Sequence, residues 1–143
     1  MSPRSLLGAA LIGFSSLTLA KGMDMAFGRP AERPQASRVI HVVITDDVRF
    51  VPSEIRVKRG ETVRFIVTND GERAHHIVLG TMTSLKQHAE AMHSAHREPN
   101  EAQVAPGQTA EIDWQFTEVG EFYYGSPVPA HFEGRRLGRI LVY

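Results

Sequence analysis

Two histidines stand where loop gives way to strand. His75 follows Asp70-Gly71-Glu72 and opens the run His75-His76-Ile77-Val78-Leu79-Gly80, and His131 closes Pro129-Ala130-His131 ahead of the last apolar run. A neutral imidazole offers one nitrogen lone pair and is a common donor for copper, zinc and nickel, so two such rings meeting at one pole could hold one borderline cation. Read alone, His75 fits a ligand and a buried structural histidine equally well. His76 must face the other way along a strand, so only one of the pair can enter a shared site. A second set of donors, His88, Met92 and His96, is spaced i, i+4 and i+8 and would form one stripe on a helix. Imidazole, thioether and imidazole suit copper. The plainer reading puts Met92 in the core and both rings in solvent.

The elements that must position these side chains read as strands. Residues 38–45, 54–58, 61–69, 75–80, 109–116, 121–125 and 137–143 are β-branched or alternate apolar with polar, with turn signals at Gly60, Asp70-Gly71, Pro106-Gly107 and Gly120. Such spacing predicts an all-β, two-sheet sandwich of about seven strands rather than βαβ units. The alternation turns Val57, Val63, Phe65 and Val67 inward, joined by Ile77, Leu79, Trp114, Phe116, Phe122 and Ile140. One helix is inserted. Ser84 with Gln87 reads as a capping box, and Leu85, Ala89 and Met92 recur at helical spacing until Pro99, which predicts a helix over about 84–97.

Composition narrows the function further. The chain has 143 residues, 16 basic against 16 acidic, 42% apolar and no cysteine, as expected of one folded domain. Zero formal charge removes the field that would draw the protein to nucleic acid or an anionic membrane. The missing cysteine excludes disulfides, thiolate zinc, iron–sulfur clusters and a cysteine nucleophile. No Ser-His-Asp order, phosphate-binding glycine loop or carboxylate pair marks an enzyme. Arg4 followed by Leu6 to Ala20, about 15 apolar residues, is too short to span a bilayer and reads as a secretory signal cleaved before Lys21. An uncleaved N-terminal anchor is the alternative. Residues 1–20 are therefore expected to be a signal peptide, 21–37 a flexible leader and 38–143 the domain, with no membrane span in the mature chain.

Several motifs together carry a resemblance. Phe50-x-Pro52-x-x-Ile55-x-Val57-x-x-Gly60-x-x-Val63-x-Phe65, the His75 to Gly80 run, and Pro129-Ala130-His131 with Gly138 and Ile140 resemble the cupredoxins, the plastocyanin and azurin superfamily, from about residue 38 to 143. The order of a histidine strand, a His- and Met-bearing helix and a Pro-Gly turn is most similar to exported copper-resistance cupredoxins. The resemblance implies a Greek-key β-sandwich with His75 as a copper ligand and a C-terminal loop of the form Cys-x-x-Pro-Gly-His followed by Gly-Met.

Here the sequence departs from the family. Matching Pro129-Ala130-His131 to Pro-Gly-His puts Ser126 in the cysteine's place, or Gly125 if the loop shifts by one, and Arg136 in the axial methionine's. A blue site needs a short copper–thiolate bond in a His₂Cys plane, so it cannot form. Arg136 brings a permanent cation, which either lowers metal affinity or turns out to solvent onto Glu133. The expected function is an exported, periplasmic copper-binding protein in copper handling or tolerance. Its non-blue site would be built on His75 and His131 and completed by water, Ser126, Glu133, Met92 or His96, with His88 in the helix stripe as a further candidate. Its partners would be the copper ion and another periplasmic copper or redox protein. The alternatives are an electron-transfer cupredoxin and a metal-free structural or interaction module.

Overall fold

The alternating runs become two stacked sheets. The computed structural model describes residues 25–32, 36–90, 98–127 and 136–143, so the expected signal segment and Met92, His96, His131 and Glu133 lie outside the described residues. The strands are β1 Gly28–Pro30, β2 Arg38–Ile44, β3 Phe50–Val51, β4 Glu54–Val57, β5 Thr62–Asn69, β6 His75–Gly80, β7 Glu101–Val104, β8 Thr109–Phe116, β9 Gly120–Gly125 and β10 Leu137–Val142, with helix α1 Met82–Glu90 between β6 and β7. One sheet has the order β1-β8-β5-β2-β3 and the other β4-β10-β9-β6-β7. β2 runs parallel to β5 and β4 to β10, while β9 lies antiparallel to both β6 and β10.

The inward faces meet as the alternation predicts. All ten side chains expected to point inward, from Val57 to Ile140, belong to the buried core. Aromatic rings fill its width, with Phe65 edge-on to Phe116 at 6.2 Å and Phe27 stacked on Trp114 at 4.7 Å between ring centres. Tyr124 reaches across the core to donate its hydroxyl to the Pro52 carbonyl. Its ring occupies the space beside Gly138, where a Cβ would lie 2.0 Å from the ring, so glycine is required at that point of β10.

Two sequence expectations are corrected. Among the described residues the seven expected runs all form strands, joined by β1, β3 and β7, which are too short or too polar to show a period. The flexible leader over 21–37 does not hold for its described middle: Gly28 to Pro30 pair with β8, and Phe27 is only 2% exposed. Burying that one ring offsets the ordering of a short, proline-containing strand. The helix begins at Met82, not Ser84, because Thr81 is the cap. Its Oγ1 accepts the Ser84 N–H at 3.0 Å, and the Ser84 hydroxyl donates back to the Thr81 carbonyl. Residues 91–97 of the expected helix lie outside the described residues.

Candidate metal centre

His75 is fixed from the loop that precedes it. Asn69, fully buried at the end of β5, accepts the Gly71 N–H at 2.9 Å and donates its amide to the carbonyls of Arg73 and Val104. This closes the 70–74 turn and delivers the chain into β6 in one orientation. The ring of His75 then meets Asp46, in the turn between β2 and β3, with Nε2 2.9 Å from Oδ1. Asp46 also accepts the N–H groups of Glu72 at 2.8 Å and Arg73 at 3.2 Å. The Glu72 N–H, then the His75 bond, hold its carboxyl below the ordinary value of 3.8. An ionised Asp46 accepts only, so Nε2 of His75 donates to it, and in the neutral ring Nδ1 is the nitrogen left with a lone pair. The His75 side chain is 10% exposed, enough to be reached and too little to be freely solvated.

The rest of the pole comes from the end of β9. In that strand Phe122 and Tyr124 enter the core, while a Cβ on Gly125 would meet Leu137 at 2.3 Å and Leu85 at 3.6 Å on the other side. The alternation returns Ser126, not Gly125, to the inward side, where it is 5% exposed. β9 runs antiparallel to β6 with Val78 opposite Gly125, so it leads toward the end of β6 that carries His75. Leu137 pairs with Gly125, so the chain re-enters β10 at that same end. Arg136, just before it, is exposed, which keeps its cation off the sandwich interior.

His76 and His88 are held elsewhere. The His76 ring lies 3.0 Å from Glu101 of β7, on the opposite face of β6 from His75. His88 of α1 gives its Nδ1–H to the Ser84 carbonyl at 2.8 Å and points Nε2 at Glu98 and Glu101, at 3.3 and 3.7 Å. These side-chain contacts, with Glu101 shared between the two rings, dock the helix on β6 and β7. Among the described residues, no group of three or more His, Cys, Asp or Glu converges on one metal position.

The described donors fit a nitrogen–oxygen copper site and do not fit a blue one. An oriented imidazole with a free Nδ1 and a buried hydroxyl lie at one pole, and the whole chain has no thiolate to offer. Sequence reasoning found the Asp70-Gly71 turn but missed Asp46 and Asn69, which build the His75 orientation. The one signal was the pair Asp46-Asp47 straight after an apolar strand, which reads as a solvated turn.

Comparison with known proteins agrees with this geometry. The family model described as copper binding proteins, plastocyanin/azurin family, matches residues 37–142. The "copper-resistant cuproprotein CopI" of Rubrivivax gelatinosus is 42% identical, the match covering 86% of this chain and 77% of that one. The protein of the same name from Pseudomonas aeruginosa is 32% identical with 99% of both chains covered. In fold the chain is similar to reduced auracyanin from Roseiflexus castenholzii, with a TM-score of 0.63, 20% identity, and 76% and 98% of the two chains covered. Auracyanin B gives 0.65 at 16% identity, covering 82% and 96%. The sandwich, the oriented histidine at its pole and the family match lead to one conclusion: this chain belongs to the plastocyanin/azurin family of copper-binding proteins, as a member without the cysteine of a blue site.

Proposed function

We propose that this protein is exported and binds copper for tolerance rather than for electron transfer or catalysis, through a non-blue site at the His75 pole. The observation that carries the reading is the His75 ring, turned by Asp46 so that Nδ1 of the neutral ring is left as the donor, at the end of β6 toward which β9 carries the buried Ser126, in the place of the thiolate. His131 would supply the second nitrogen, from the segment whose two ends, Ser126 and Arg136, flank this pole. Water, Ser126 or Glu133 would complete a tetragonal Cu(II) arrangement. The similar proteins named copper-resistant cuproproteins support a role in copper handling. Another periplasmic copper or redox protein would receive or deliver the ion.

The export reading rests on Arg4 and the apolar run to Ala20. Within the described residues no helix is long and apolar enough to cross a membrane. Intact mass of the protein from its own cells should show a chain starting near Lys21; full-length chain in the cytoplasm contradicts export. For the site, His75→Ala and His131→Ala should each weaken Cu(II) binding at least about tenfold, because one remaining imidazole no longer chelates. If the double variant binds copper as tightly as the unchanged protein, the pole is not the site.

A further inference from the structure

We propose that Asp46 is a positioning residue that sets which oxidation state of copper this pole accepts, favouring Cu(II) over Cu(I). The inference rests on the reading of His75 as a ligand. A carboxylate holding the far N–H of a ligand imidazole fixes its tautomer and direction and makes the ring a stronger donor. It also adds a full negative charge one ring away from the ion, and that charge attracts a doubly charged cation more than a singly charged one. No thiolate in the chain opposes the bias, although soft sulfur donors are what favour Cu(I).

The surroundings of Asp46 are arranged for this one contact. Its two oxygens are held by the Glu72 and Arg73 N–H groups, which leaves Oδ1 directed at His75. Gly71 clears the space: a Cβ there would lie 2.0 Å from that same Oδ1. The turn carrying Asp46 contains Val48 at φ 55, a conformation that a β-branched residue avoids, held by burial of its side chain at 6% exposure. The β2–β3 turn of one sheet and the β5–β6 loop that crosses to the other thus close around one carboxylate and one imidazole.

The test compares the whole protein with Asp46→Asn and His75→Ala, measuring affinity for Cu(II) and for Cu(I) by competition with chromophoric chelators specific to each. Asp46→Asn should lose about tenfold or more in Cu(II) affinity, as second-sphere substitutions do, while Cu(I) affinity changes much less. The hyperfine pattern in electron paramagnetic resonance should shift with it. Equal loss for both ions, or no loss for either, overturns the inference, because a merely structural role would not separate them. If His75→Ala removes Cu(II) binding while Asp46→Asn leaves both affinities unchanged, the ligand reading stands and the role of Asp46 fails. If His75→Ala binds as before, the reading of the pole fails instead. Should Asp46→Asn not fold, Gly71→Ala crowds the same carboxylate and should lower the Cu(II) to Cu(I) preference in the same direction; an unchanged preference overturns the inference.

Discussion

The direction of the His75 ring is set by one carboxylate that stands 29 residues earlier in the chain. That separation explains what the sequence could and could not show. His75 could be singled out, because a histidine between a turn and an apolar strand reads as a ligand or a buried structural ring; its partner could not, because nothing local to Asp46 distinguishes it from Asp47. The contact has a consequence for pH. The Asp46 carboxyl titrates below its ordinary 3.8 in the folded protein, so the stabilisation it gives is complete above that value and lost as pH falls through the lower folded value. The gap in urea midpoint between the unchanged protein and Asp46→Asn should therefore be largest near neutral pH and close in strong acid. A gap that does not vary with pH contradicts the assigned bonds.

Among the elements, legibility followed length and period. β5 and β8 are eight residues each and alternate cleanly, and their inward faces were readable. β3 has two residues, β1 is Gly-Arg-Pro, and β7 is Glu-Ala-Gln-Val, none with enough pattern to outweigh its turn-like or polar composition. These strands exist because a neighbour supplies their hydrogen bonds and a core receives Phe27, Phe50 or Val104. The helix start was misplaced because Thr81 follows directly on the apolar strand, while Ser84 with Gln87 offers the fuller capping-box pattern. Thr81→Ala should destabilise the fold by about 1 kcal/mol, as loss of an N-cap does, whereas Gln87→Ala should cost less than about 0.5 kcal/mol. Equal effects of the two in chemical denaturation would return the cap to Ser84.

At the scale of the whole molecule, the sandwich was foreseen from alternation, while the parallel pairings of β2 with β5 and β4 with β10 depend on long connections that no local pattern encodes. Phe65→Ala should cost about 3–5 kcal/mol, and Phe27→Ala should cost about as much, because both rings are buried among other aromatics. A cost under about 1 kcal/mol for Phe27→Ala would restore the leader reading for that segment. One sheet holds the start of β6, the end of β9 and the start of β10 at one pole, the other brings Asp46 to it, and the absence of cysteine decides what that pole can be. The most direct test of this account is a titration of the purified protein with Cu(II), followed by electron paramagnetic resonance and visible absorption. The account predicts saturable binding with a tetragonal nitrogen–oxygen signature and no intense thiolate charge-transfer band, lost on His75→Ala. No binding, or binding that survives the loss of His75 unchanged, would contradict it.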